Sequence, residues 1–167
     1  TLTRLAQLIA IVFIAGCAIH TRTTGENPLE KTNWHGRLAM QVQADVGDAS
    51  SARRSFGATF ELTGTPDLGE LQFFTPLGST AAAIRWGPGF ATLNAQGETR
   101  TYDGLPPLVQ QLLGTDLPVA TLFAWLKGQD LATDGWQVDL TQFTKGKISA
   151  QRLVPLPKAE LRLILEP

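Results

Sequence analysis

One cysteine, one methionine, one tyrosine and two histidines occur in 167 residues. A single cysteine excludes an internal disulfide framework and a cysteine-rich zinc site. His20 and His35 leave little material for metal or acid–base chemistry. Charge is also sparse: 17% of residues are Asp, Glu, Lys or Arg, and the formal net charge is -1. Nucleic acid as a partner normally requires a basic stripe, which this balance argues against. Phosphate-loop, dinucleotide-loop, zinc-protease and nucleophile-elbow motifs are all missing. Neither histidine has a motif-placed Ser or Asp partner, and His35 falls on the polar side of a strand pattern. Asp45 with Asp48, and Asp67 with Glu70, are carboxylate pairs in turn-forming sequence. The expectation is a protein that is not an enzyme and needs no cofactor or metal. At 43% hydrophobic residues the chain still has the material for a core.

What is present begins with an address. Arg4 precedes the uncharged stretch Leu5–Ala15. Those residues make about 16 Å of helix, well short of a bilayer core of about 30 Å. Residues 1–16 therefore read as an export signal. Ile14-Ala15-Gly16-Cys17 resembles the bacterial lipobox, in which small residues enter a peptidase cleft and the cysteine thiol takes a diacylglyceryl group. The resemblance implies lipidation at Cys17 and anchoring on the periplasmic face of the outer membrane, since Ala18 stands where an inner-membrane retention signal has Asp. Residues 17–33 then comprise the lipidated cysteine and a polar tether containing Gly25 and Pro28.

Residues 34–167 read as the folded domain. Trp34, Gly36, Leu38, Met40 and Val42 alternate with polar or small neighbours, the period of a half-buried strand. Phe56, Ala58, Phe60 and Leu62 repeat the pattern after a polar connection, Asp45–Arg54. Further strands are expected over 70–75, 80–86, 90–95 and 98–102, separated by Gly- and Pro-containing turns. Such short connections force antiparallel neighbours.

The period then changes. Leu105, Leu108, Val109, Leu112 and Leu113 form a helical stripe, with Asp103 as the expected N-cap and Gly114 at the end. Val119, Leu122, Phe123 and Leu126 make a second helix over 118–127, stopped by Gly128. Both are short and must dock on an apolar surface to persist. Strands return over 136–141, 147–154 and 160–165, with a turn at Thr144-Lys145-Gly146. A one-sided apolar sheet of this size curls as it twists, and the helices are placed to cover it. From the residues alone, either a filled core or an apolar pocket satisfies this pattern.

The ordered set of local sequences resembles the LolB family, the outer-membrane lipoprotein receptors of the lipoprotein-localisation pathway. The matching pieces are Cys17 with its lipobox, Gly36-Arg37-Leu38-Ala39, Pro76-Leu77-Gly78-Ser79-Thr80 and Leu112-Leu113-Gly114 with Leu117-Pro118. Leu122-Phe123-Ala124-Trp125-Leu126-Lys127-Gly128 and Gly135-Trp136-Gln137-Val138 complete the set. The resemblance implies a mainly β fold with short helices: an unclosed antiparallel β-barrel of about nine to eleven strands, with a helical lid over an apolar cavity. It further implies a monomer that accepts acylated lipoproteins from a periplasmic lipoprotein carrier and inserts them into outer-membrane lipid. One departure is the segment between Gly128 and Gly135, only six residues long, where the family has part of another strand.

Candidate cavity residues are the inward strand positions Leu38, Met40, Phe56, Phe60, Leu71, Phe73, Ile84 and Trp86. Candidate lid residues are Leu108, Leu112, Leu122, Phe123 and Leu126. A stripe at strand or helix period is core by default, so the resemblance alone singles these out. Pro76, Leu77 and Gly78 form a turn with Leu77 at its apex. One exposed leucine is ordinary; the resemblance makes it the membrane-insertion element. The alternative is a structural or assembly lipoprotein whose solid core docks a protein partner.

Overall fold

In a computed structural model the described residues are 33–43, 54–114 and 116–167. The export signal, Cys17, His20, nearly all of the tether and the Asp45–Arg53 stretch lie outside them. The strands are β1 (Asn33–Val42), β2 (Arg54–Gly64), β3 (Gly69–Phe74), β4 (Thr80–Gly87), β5 (Phe90–Ala95), β6 (Glu98–Tyr102), β7 (Trp136–Asp139), β8 (Lys147–Arg152) and β9 (Ala159–Leu165). Two helices, α1 (Leu105–Leu113) and α2 (Val119–Leu126), lie between β6 and β7.

All nine strands belong to one antiparallel sheet, ordered β6-β5-β4-β3-β2-β1-β9-β8-β7. Its edges, β6 and β7, are not paired with each other. The architecture is therefore the expected open barrel with helices. The short stretch after Gly128 adds no strand; it makes a single bridge, Thr133 to Trp136.

Alternation decides which face is inside. Trp34, Met40 and Val42 are buried on β1, whereas His35, Arg37 and Gln41 are exposed. On β9, Leu161 and Leu163 are buried while Arg162 and Ile164 point outward. Gly36 sits opposite Leu165 with φ of 152°, and a Cβ there would overlap the Ile164 backbone. Only glycine permits that approach of β1 to β9.

Two local expectations are corrected, and a third gains detail. Gly104, not Asp103, is the N-cap of α1, and no side chain caps it. Pro106 and Pro107 start this helix instead, because fixed φ and a missing N–H cost nothing in a first turn. Arg54 is the first residue of β2, paired with Val42, and not a loop end. The turn before β8 is a short 3-10 segment, Phe143–Lys145, closed by left-handed Gly146.

One apolar cluster fills the inner face. Phe123 meets Trp34 edge-on with ring centres 5.5 Å apart, and Trp86 at 6.4 Å. Each tryptophan indole N–H donates to a backbone carbonyl: Trp34 to Leu126 (3.2 Å), Trp86 to Thr65 and Pro66, Trp125 to Leu131, and Trp136 to Asp116. Large apolar bodies with satisfied polar tips suit such positions. These bonds pin the end of α2 and two loops to the sheet, and a third loop to α2.

Candidate functional site

The inner-face candidates divide by position. Met40, Phe60, Phe73, Ile84, Trp86, Leu108, Phe123 and Leu126 are buried together in the one core. Leu38, Leu71 and Leu122 are partly buried against them. Phe56 is 42% exposed and Leu112 41% exposed. The reason is register: β3 ends at Phe74 opposite Thr59, so β2 runs on from there without a β3 neighbour. Phe56 keeps only a margin contact, edge-on to Phe73 at 5.0 Å. Leu112 lies in the last turn of α1, a helix that rests on β5 and β6. The thirteen candidates thus comprise a packed centre, a partly covered ring and two apolar side chains at its edge.

Helices α1 and α2 are weakly built as helices. Neither has a side-chain cap, an acidic residue in its first turn or a basic residue in its last. Isolated helices of this length are marginal in water, so their stability comes from docking. For α2 the docking is extensive, with Thr121, Phe123, Trp125 and Leu126 buried; for α1, Leu108 alone is fully buried.

Two depressions lie outside the buried centre. One, of about 520 Å³, lies where α1 and α2 meet, against the β2–β3 turn and the ends of β7 and β8. Leu105, Val109, Leu117 and Trp136 line it, and Arg152 forms part of its wall. The other, of about 490 Å³, is on the outer side of β1, β2 and β9, with Arg37, Arg162, Phe74 and Pro76 around it. Of the cavity candidates, only Leu38 touches either depression. Sequence reasoning passed over Arg152. Its signal was parity: Ile148, Ala150 and Arg152 share a face, and the third is a charge on an otherwise apolar inward row.

The Pro76-Leu77-Gly78 turn has the expected geometry. The Gly78 N–H donates to the Thr75 carbonyl at 2.9 Å, which places Pro76 and Leu77 at the two corners. The Thr75 N–H donates to the Ser79 carbonyl, and the Ser79 N–H to the Thr75 hydroxyl. Gly78 has φ of 83°, a conformation that favours glycine. Leu77 is 95% exposed. A turn held by three hydrogen bonds while its largest side chain touches almost nothing presents that side chain outward.

Comparison with known proteins bears on this arrangement. The family model described as outer membrane lipoprotein LolB matches residues 31–151. The chain belongs to the LolB family. The outer-membrane lipoprotein LolB of Shewanella amazonensis is 30% identical over 155 residues, covering 87% of this chain and 70% of that protein. That of Bordetella petrii is 27% identical over 173 residues, covering 90% and 85%. That of Chromobacterium violaceum is 27% identical over 132 residues, covering 75% and 67%. LolB membership makes the chain a lipid-anchored outer-membrane protein of lipoprotein localisation. No described helix is long and apolar enough to cross a membrane.

Proposed function

We propose that this protein receives acylated lipoproteins from a soluble periplasmic carrier and inserts them into the outer membrane, as a monomer and without a covalent step. The observation that carries the reading is an unclosed sheet whose apolar inner face is roofed by two short helices without side-chain caps. Apart from the Trp34 hydrogen bond to the end of α2, apolar contact holds these helices to the sheet, and hydrocarbon offers the same contact. An incoming acyl chain enters at the exposed margin of Phe56 and Leu112 and displaces α1, the less deeply docked helix. Transfer between two apolar environments needs no nucleotide, because the ligand moves towards the site that binds it better.

The exposed Leu77 supports a separate delivery step. Burying one leucine is worth about 1.5–3 kcal/mol, enough for a transient touch on a bilayer. Permanent attachment falls to the lipid on Cys17, with residues 1–16 removed and 17–33 as tether. A two-stage assay tests the reading by scoring carrier-to-receptor and receptor-to-membrane transfer separately. Wild-type protein should complete both, and failure to accept cargo from the carrier would sink it.

The edge-on packing of Phe123 against Trp34 and Trp86 favours a second reading. There the core is solid, and the protein is an assembly lipoprotein that docks a protein partner. A fluorescent fatty-acid analogue separates the two, since a solid core would leave it unbound.

A further inference from the structure

A buried guanidinium nitrogen without a hydrogen-bond partner is the least expected feature among the described residues. Arg152 is only 6% exposed, and its Nη1 has no hydrogen-bond partner among the described residues. It ends β8 opposite Trp136, on the inward face. A guanidinium donor closed off from water and left unpaired is costly, and replacement by an apolar side chain of similar volume normally relieves the cost. Its place is informative too, because Arg152 belongs to the wall of the 520 Å³ depression between the helices and the sheet. That volume falls within the range of small-molecule sites, and an apolar lining with few polar groups is their usual make-up.

The charge around the depression restricts what the donor meets. Asp67, Asp116 and Asp134 also line it, and all three are exposed. Three carboxylates against one guanidinium disfavour a phosphate or a fatty carboxylate. A neutral oxygen acceptor on an apolar body fits both the lining and the charge.

We propose that this depression is a subsite for the ester or amide carbonyl of an acylated ligand, with the Arg152 guanidinium as hydrogen-bond donor and Leu105, Val109 and Trp136 against the adjoining hydrocarbon. The inference rests on the receptor reading and deepens it: the inner face takes the chain, and the elbow of the two helices recognises the bond that attaches it. Pairing occurs as the ligand parts the wall around Nη1. The carboxylate rim makes the subsite selective for neutral acyl groups over anionic lipids.

The test uses the full-length chain in lipid nanodiscs, with empty discs as the partition control. Three photoreactive probes of equal chain length are compared: a monoacylglycerol, its ether analogue lacking the carbonyl, and a fatty carboxylate. The monoacylglycerol should cross-link at Leu117 or Trp136, and more strongly than the carboxylate. Arg152→Met should weaken monoacylglycerol binding about tenfold or more, as expected for loss of a charged donor, and leave ether binding unchanged. The same variant should melt at or above the wild-type temperature, because it removes a buried, unsatisfied donor. Equal loss for ester and ether, no loss for either, or a melting temperature below wild type would each overturn the subsite while leaving the receptor reading in place. Absence of cross-linking by every probe would overturn both.

Discussion

The corner formed by Trp34, Trp86 and Phe123 and the turn carrying Leu77 spend the same kind of residue in opposite ways. At the corner, large apolar groups are buried and their polar tips bonded, so each side chain constrains two or three elements. At the turn, two backbone hydrogen bonds and one to the Thr75 hydroxyl maintain the shape, and the leucine constrains nothing. The difference teaches that exposure here is built in: the turn would close equally well around a polar residue. The packing of the core and the exposed Leu77 side chain belong to separate parts of the chain, and substitutions should separate their effects.

The largest expected effect is at the corner. Phe123→Ala should lower stability by about 3–5 kcal/mol, the usual cost of emptying a buried aromatic site, measured by urea unfolding. A cost near that of a surface substitution would show that α2 is a loose cover and break the comparison. Next comes Trp34→Phe, which keeps most of the ring but strands the buried Leu126 carbonyl. About 1–3 kcal/mol should be lost, together with faster amide exchange at the end of α2.

Leu77→Glu should change stability by no more than about 0.5 kcal/mol. It should still accept cargo from the carrier yet fail to place it in membranes, because a charge at the tip resists entry into hydrocarbon. If the variant melts early, Leu77 is structural; if both transfer stages run normally, the turn is only a turn.

Asp139 has the smallest effect and sharpens the comparison with a second surface turn. Its carboxylate bonds the side chain and then the backbone N–H of Thr141, which holds its pKa below the ordinary value. A lowered folded pKa contributes stability above the unfolded value, near pH 4, and that contribution is lost as pH falls through the folded value. Asp139→Asn should therefore be slightly less stable than wild type at neutral pH and indistinguishable from it once both are acidified, in melts run across pH.

Most strand faces were legible because a period of two survives in β1, β5 and β9 with few exceptions. The helical stripe of α1 was legible for the same reason, and so was the turn at Pro76-Leu77-Gly78, where residue types dictate backbone angles. What failed depended on neighbours. Asp103 looks like a cap until two prolines take over the start of α1. Phe56 is on the inward row, but its cover depends on where β3 stops. Whether thirteen apolar residues enclose a void or fill it depends on side-chain packing, which periodicity does not encode. Arg152 lay within reach of the parity argument, though its missing partner did not.

The central place of β1 and β9 in the sheet orders events in time. These are the first and last strands described, yet they are neighbours, with Gly36 opposite Leu165 and Val42 opposite Ala159. Contacts so distant along the chain form late and slow folding. Until β9 is in place, β1 has one partner and the sheet is in two unjoined parts. The two parts therefore become one sheet only when the last described strand has docked on the first.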